Sequence, residues 1–126
     1  MAKTGRIKLH KQAEKRGRHG EALAALLLRC KGYRILGRRV RTRAGEIDLV
    51  AKSPFGVVCF VEVKPRPQDG LAAEAVGPRQ RARIARAAEF YLAGRKAAKG
   101  VRFDVVTVVP GRLPRHLRDA WGADGL

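Results

Sequence analysis

Residues 45–66 read GEIDLVAKSPFGVVCFVEVKPR, and this stretch decides the fold because it encodes two strands and the turn between them. The first strand, Glu46–Ala51, alternates apolar with charged side chains, and the second, Val57–Lys64, is an almost continuous apolar run rich in β-branched residues. Both patterns are typical of strands. Pro54 to Gly56 supplies the residues of a tight turn. The sequence therefore predicts a hairpin.

The hairpin carries ionisable groups on strands that are otherwise apolar. A turn centred on Phe55 sets Asp48 opposite Glu62, and Lys64 shares the face of Glu62 because side chains repeat with a period of two. Opposed residues have Cβ atoms about 5 Å apart, and two carboxylates that close repel each other unless a proton or a cation lies between them. Oxygen ligands beside a lysine favour Mg²⁺ or Mn²⁺ over Zn²⁺. A slip of one residue would separate the carboxylates, so this predicted metal site depends on the register.

The charge of the chain indicates its partners. Its 126 residues predict one domain with one core, and 28 Lys and Arg residues against 11 acidic ones give a formal charge of +17. Such an excess favours nucleic acid or another anionic surface. A structural RNA-binding protein would show the same charge, so charge alone does not identify an enzyme.

The apolar segments and cysteines indicate the compartment. The longest apolar run, Ala22–Leu28, is far too short to span a bilayer, and no apolar leader opens the chain. Cys30 and Cys59 lie in apolar runs without zinc-type spacing, so we expect two buried thiols. We therefore expect a soluble cytoplasmic protein without a membrane partner.

We expect three segments: a disordered basic arm over residues 1–18, a folded domain over 19–110 and a C-terminal tail over 111–126. Inside the domain we expect a helix over Glu21–Lys31 that Gly32 closes, then a strand over Tyr33–Arg41 before the hairpin. The core stripe of that first helix is predicted to be Leu23, Leu26, Leu27 and Cys30.

After the hairpin, Gln68 to Gly77 has the composition of a mobile flap, and Pro78 stands where a helix would begin. That helix is predicted over Arg79–Lys96, and a last strand over Arg102–Val109. The predicted core stripe of the helix is Ile84, Ala87, Ala88, Tyr91 and Leu92. This order of elements indicates a mixed α/β domain in which helices cover the sheet.

Basic residues beside the carboxylates are candidates for contacts with nucleic-acid phosphates. For Arg38, Arg39, Arg41 and Arg43, a solvated basic turn is the competing explanation. The basic candidates are Arg38, Arg39, Arg41, Arg43, Arg66, Arg79 and Arg83, and the polar residue Gln80 is included with them.

An acid on the first helix, an Asp on one strand and Glu-x-Lys on the next resemble the PD-(D/E)xK nuclease superfamily. The chain is more closely similar to the YraN family of small bacterial proteins over about Gly17 to Val109. The words that carry this resemblance are GEALAALLL, KGYRILGRRVRT, GEIDLVA, FVEVKPR, AVGPRQRARIARAAEFYL and RFDVV. The resemblance implies a restriction-endonuclease-like αβββαβ core, with a mixed sheet flanked by helices.

The resemblance also implies roles for site residues. Glu21, Asp48, Glu62 and Lys64 match the catalytic positions of the superfamily, and the three acids would hold Mg²⁺ or Mn²⁺. Lys64 would position or deprotonate the attacking water, and Gln80 lies near where a further polar residue often occurs. A metal ion serves this chemistry by activating water and by neutralising phosphoryl charge.

Two functions of different class remain open at this point. The first is a metal-dependent endonuclease acting on DNA, including branched or structured DNA, which could work as a homodimer. The second is a non-catalytic nucleic-acid-binding module that acts through a protein partner. A plain basic structural protein, such as a ribosome-associated factor, explains the charge but not the acids of the hairpin.

Overall fold

The structure, a computed structural model, describes residues 20–65 and 76–122. Its elements in chain order are α1 (20–30), β1 (Arg34–Thr42), β2 (Gly45–Lys52), β3 (Val58–Pro65), α2 (Pro78–Leu92), β4 (Val101–Val108) and β5 (Arg115–Trp121). The predicted α/β class and the order helix, three strands, helix, strand are confirmed. One further strand follows.

The five strands form one mixed sheet in the order β1-β2-β3-β4-β5. The first three pair antiparallel, β3 pairs parallel with β4, and β5 returns antiparallel to β4. Parallel neighbours need a crossover connection, and α2 lies within the one between β3 and β4. Two separate buried clusters, one including residues of α1 and one including residues of α2, show that the helices cover opposite faces of the sheet.

The central hairpin has the register that its sequence predicts. Leu49 lies opposite Val61 and Ala51 lies opposite Cys59. The turn is closed by two backbone bonds, from Gly56 N to Ser53 O at 2.9 Å and from Ser53 N to Val57 O at 2.8 Å. Gly56 has a φ of +92°, a conformation that favours glycine.

The sheet divides at the pair formed by Leu49 and Val61, which is the last pair between β2 and β3. Beyond it, the beginning of β2 continues to pair with β1, whereas the end of β3 continues to pair with β4. Past this pair, β2 is therefore paired only with β1, and β3 only with β4. Asp48 and Glu62 are the first two facing residues after the pairing between β2 and β3 has ended. We call this place the fork.

Of the predicted core stripe of α1, only Leu27 packs against the buried cluster, and the other three positions are wrong. Ala24, Ala25 and Leu28 are buried, whereas Leu26 is 56% exposed and Cys30 is also exposed. Small side chains on the inner face let the helix lie close to the sheet: a Cβ atom on Gly20 would be only 3.8 Å from side-chain atoms of Val63 and Val108. The stripe therefore begins at Glu21, with the same spacing but shifted along the chain. Of the two cysteines, only Cys59 is buried.

The second helix is shorter than predicted, because it ends at Leu92 rather than Lys96. Gly94, with a φ of +77°, turns the chain away two residues later. The predicted core residues Ile84, Ala87 and Ala88 are buried, and Tyr91 packs beside them.

The segment predicted as a tail, residues 111–126, contributes β5 to the sheet. This strand lies at the edge of the sheet and carries exposed charged residues. They hide the alternation of apolar and polar side chains that would predict a strand. Trp121 stacks on Phe103 with ring centroids 5.1 Å apart, which fixes the end of β5 against the core.

Three predictions fall wholly or largely outside the described residues: the basic arm over residues 1–18, the flap over 68–77 apart from Val76 and Gly77, and the position of Arg66. Within the part of the chain that the structure describes, no helix is long and apolar enough to cross a membrane.

Candidate active site

Two carboxyl groups meet at the fork. Asp48 accepts a hydrogen bond from the backbone N–H of Val63, with 2.8 Å between N and Oδ2. This N–H faces the gap between the separated strands, so the Asp48 side chain takes the place of a strand partner. Asp48 and Glu62 occupy facing positions of the hairpin register, and the charge of Asp48 acts on the pKa of Glu62.

The electrostatics of the pair follow from its burial. Loss of solvent, and next the neighbouring charge of Asp48, raise the pKa of Glu62 to about 8. Burial also raises the pKa of Asp48, against the opposing effect of its bond from Val63. Glu62 is buried and Asp48 is half-buried. Two neighbouring carboxylates with this little solvent repel each other unless a proton or a cation lies between them. The pair therefore has the oxygen donors and the excess of negative charge that a divalent cation would compensate.

Glu62 has two further partners, and both come from elements next to the fork. Lys64, two residues on along β3, places its Nζ 3.7 Å from Glu62 Oε1. Gln80, in the first turn of α2, donates from Nε2 to the same oxygen at 2.9 Å. Glu62 and Gln80 also line a small cavity of about 90 Å³, which gives solvent a path to Glu62. The cavity is completed by Gly45, Glu46, Arg83 and Ile84.

Glu21 lies at the buried beginning of α1 and is engaged by two arginines. Its carboxylate oxygens accept from Arg38 Nε at 3.4 Å and from Arg39 Nε at 3.1 Å. Its charge still acts on the pKa of Asp48, so the acid is close to the pair. Arg39 has a φ of +51°, which is unusual for a non-glycine residue and typical of functional sites.

The structure thus brings together Asp48, Glu62, Lys64 and Gln80, with Glu21 beside them. In residues 20–65 and 76–122, no group of three or more His, Cys, Asp or Glu side chains is arranged to hold a metal ion. Glu21 as a third metal ligand therefore stays a prediction, because its carboxylate contacts arginines in this geometry.

The predicted phosphate-binding residues are distributed around this site. Arg38 and Arg39 hold Glu21, and Arg41 pairs with Glu46 at 3.6 Å. Arg43 is exposed in the turn between β1 and β2, Arg79 is exposed at the beginning of α2, and Arg83 lines the small cavity.

A second buried ionic cluster, which the sequence shows only as an isolated acid in an apolar strand, joins β4 to β5. Asp104 is 0% exposed and accepts from Arg102 Nε at 2.8 Å, from Arg102 Nη2 at 2.7 Å and from the backbone N–H of Asp119 at 3.0 Å. His116 Nε2 lies 2.8 Å from its Oδ2. Burial alone would raise the pKa of Asp104, but these bonds outweigh it and lower the pKa to about 2. Asp104, Arg102 and His116 are each hydrogen-bonded within the cluster, as expected of a structural cross-link.

The fold and the site together define an α/β protein that holds two carboxyl groups and a lysine where β2 and β3 of a five-stranded sheet separate. Residues 20–108 match the family described as Uncharacterised protein family UPF0102, and the chain belongs to that family.

Bacterial relatives match over most of the chain. A UPF0102 protein of Maricaulis maris is 51% identical over 113 residues, which are 88% of this chain and 88% of that protein. One of Paramagnetospirillum magneticum is 50% identical over 121 residues, 91% of this chain and 93% of the relative. One of Agrobacterium fabrum is 46% identical over 123 residues, 96% of this chain and 100% of the relative.

Proposed function

We propose that this UPF0102 protein is a metal-dependent endonuclease that hydrolyses phosphodiester bonds of DNA, as its resemblance to the PD-(D/E)xK superfamily implies. The observation that carries the proposal is that Asp48 and Glu62 face each other at the fork, with Lys64 Nζ 3.7 Å from Glu62 Oε1. Two acids side by side with little solvent are costly to keep. A strongly raised pKa beside specific charged partners, here that of Glu62 at the wall of a cavity, is typical of functional sites.

Asp48 and Glu62 fit a hard divalent ion and would hold Mg²⁺ or Mn²⁺. Magnesium in nucleic-acid enzymes is bound by one or two carboxylates, several waters and the phosphates of the substrate, so a pair of acids is a sufficient protein contribution. When bound, the ion would activate a water molecule and neutralise charge on the phosphoryl group. Glu21 would support the pair from its position next to Asp48.

The remaining residues of the site would orient groups and hold charge. Lys64 places an ammonium group next to Glu62, where it can position a water molecule or stabilise negative charge at the phosphate. Gln80 fixes the orientation of Glu62 through its hydrogen bond. Arg38 and Arg39 supply positive charge beside the acids, and such contacts to a phosphate chain give affinity without reading its sequence.

A cleavage assay on single-stranded, duplex and branched DNA with Mg²⁺ or Mn²⁺ tests the proposal. We expect cleavage by the wild-type protein and its loss in Asp48→Asn and Glu62→Gln. Glu89→Gln is the matched control, because Glu89 is an exposed acid on α2 and the change in charge is the same. Absence of cleavage on every substrate, or equal cleavage by all four proteins, would contradict the proposal.

The second candidate function is a nucleic-acid-binding module that acts through a protein partner. It is favoured by the two arginines on Glu21, which leave only a pair of acids free to meet at the fork. A calorimetric titration with Mn²⁺ discriminates between the two. Uptake of Mn²⁺ that disappears in Glu62→Gln supports the enzyme, whereas DNA binding without any uptake of Mn²⁺ supports the module.

A further inference from the structure

A groove lined by arginines and aromatic rings lies between the end of β1 and the end of α2. Its volume is about 540 Å³, within the range of sites that accept ligands. Its lining contains no acidic residue. The lining residues are Val40, Arg41, Thr42, Arg43, Phe90, Tyr91 and Arg95.

Two flat groups in the groove are available for stacking. Phe90 is 42% exposed although it is a large apolar side chain. The Arg95 guanidinium lies over the ring of Tyr91, with 4.2 Å between its central carbon and the ring centroid, and it also donates to the Tyr91 carbonyl. The Tyr91 ring in turn meets Phe60 edge to face in the core. The guanidinium plane is therefore held in place by a buried anchor.

The groove adjoins the candidate active site. Arg41, on its wall, pairs with Glu46, which lines the small cavity beside Glu62. Along α2, Gln80 at the acids and Tyr91 in the groove are eleven positions apart, which corresponds to roughly 16 Å. A nucleic-acid strand could therefore contact both places at once.

We infer that this groove binds an unpaired nucleotide, with its base stacked on Phe90 and the Arg95 plane and its phosphates held by Arg41 and Arg43. Aromatic rings and guanidinium planes bind bases only where the bases are unstacked. The cationic walls complement the phosphate chain. In a duplex both faces of a base are covered, so the groove selects single-stranded or frayed segments. The binding claim stands by itself, and its link to cleavage rests on the proposed function.

Fluorescence anisotropy with a labelled single-stranded oligonucleotide and a blunt duplex of the same sequence tests the inference. Measurements in EDTA separate binding from cleavage. We expect Phe90→Ala to weaken binding of the single strand roughly 5- to 100-fold, the contribution of one stacked base, with little change for the duplex. Arg95→Lys keeps the charge and loses the planar group, so it should also weaken the single strand selectively.

Phe55→Ala is the matched control, because Phe55 is an exposed aromatic residue in the turn between β2 and β3 and lies outside the groove. Circular dichroism checks that each variant is folded. An RNA strand of the same sequence shows whether the groove accepts a 2′-hydroxyl, and an equal loss there extends the assignment to RNA.

Unchanged single-strand binding in both Phe90→Ala and Arg95→Lys would overturn the inference, and so would an equal loss for the duplex. The outcome is independent of turnover. If the protein cleaves nothing but Phe90→Ala weakens single-strand binding, the groove stands and the nuclease proposal falls. If the protein cleaves DNA but neither groove variant alters binding, the reverse holds.

Discussion

The backbone N–H of Val63 donates to Asp48 Oδ2 at 2.8 Å, one position beyond the last pair between β2 and β3. This bond ties the two strands together where their backbone ladder has ended. Asp48 therefore has two roles, since it satisfies the backbone of β3 and forms half of the carboxyl pair.

We expect Asp48→Ala to lower the free energy of unfolding by about 1–3 kcal/mol, because the Val63 N–H is left without its acceptor. Asp48→Asn keeps an acceptor oxygen and removes the charge, so it should remain within about 1 kcal/mol of the wild type. Urea denaturation in EDTA measures both. Equal stability of the two variants would show that the bond to Val63 does not support the fork.

Lys64 allows chemistry to be separated from metal binding. We expect Lys64→Met to lower the cleavage rate by roughly 100-fold or more, the scale of a positioned general acid–base or electrostatic group. Mn²⁺ binding should persist, since the oxygen donors remain. Calorimetry and a cleavage assay measure the two effects.

Lys52→Met is the control for Lys64→Met, because Lys52 is an exposed lysine at the end of β2. Cleavage at the wild-type rate by Lys64→Met would remove Lys64 from the mechanism. Loss of Mn²⁺ binding in the same variant would instead show that Lys64 supports the geometry of the pair.

The hairpin was predictable because its register follows from period two and from one turn centre, both of which are local. The buried face of α1 could not be predicted in this way. Its sequence contains two stripes with the same helical spacing, one starting at Leu23 and rich in leucine, the other starting at Glu21 and rich in alanine. Hydrophobicity favours the first, but close approach of the helix to the sheet selects the second. The buried stripe begins with a charged residue, Glu21, whose carboxylate is paired with Arg38 and Arg39.

The two stripes make opposite predictions for two leucines. Leu28 is 0% exposed, so Leu28→Ala should lower the free energy of unfolding by about 2–5 kcal/mol. Leu26 is on the exposed side, so Leu26→Ala should change it by less than about 1 kcal/mol. Chemical denaturation compares them under identical conditions. A larger loss in Leu26→Ala would restore the stripe that the sequence favours.

The groove and β5 were beyond sequence reasoning for a different reason. Arg43 and Phe90 are far apart in the chain, and only the packing of α2 against the hairpin brings them together. The strand Arg115–Trp121 carries three exposed charged residues, which are Arg115, Arg118 and Asp119. They obscure the alternation of apolar and polar side chains. Non-local contacts of this kind leave no pattern within a short window of sequence.

A bulge in β1 makes a further test. The register between β1 and β2 shifts between Ile35 and Gly37, and a Cβ atom on Gly37 would lie 2.7 Å from Val40 Cγ2. We expect Gly37→Ala to cost about 1–3 kcal/mol through overpacking. Gly77→Ala is the control, since nothing lies within 4 Å of its Cβ position and its backbone is extended. Thermal unfolding of both variants measures the two losses. A loss in Gly37→Ala no larger than that in Gly77→Ala would show that position 37 tolerates a side chain.

The cross-link at Asp104 predicts how stability depends on pH. The pKa of Asp104 is about 2 in the folded protein and 3.8 for an ordinary aspartate, so the unfolded chain binds the proton first as pH falls. The carboxylate therefore contributes about 2 kcal/mol of stability above pH 4, and this contribution is lost between about pH 4 and pH 2.

Asp104→Asn tests the cross-link. It leaves the Arg102 guanidinium without its counter-charge in a largely buried place, so we expect a loss of about 3–5 kcal/mol near neutral pH. Between pH 4 and pH 2 the variant should show a shallower fall in stability than the wild type, because it has lost one titrating group. Asp119→Asn is the control with the same change in charge: its side chain is exposed, and asparagine tolerates its φ of +53°. Denaturant titrations from pH 2 to pH 7 give both slopes, and parallel profiles for wild type and Asp104→Asn would place the acid sensitivity of the fold elsewhere.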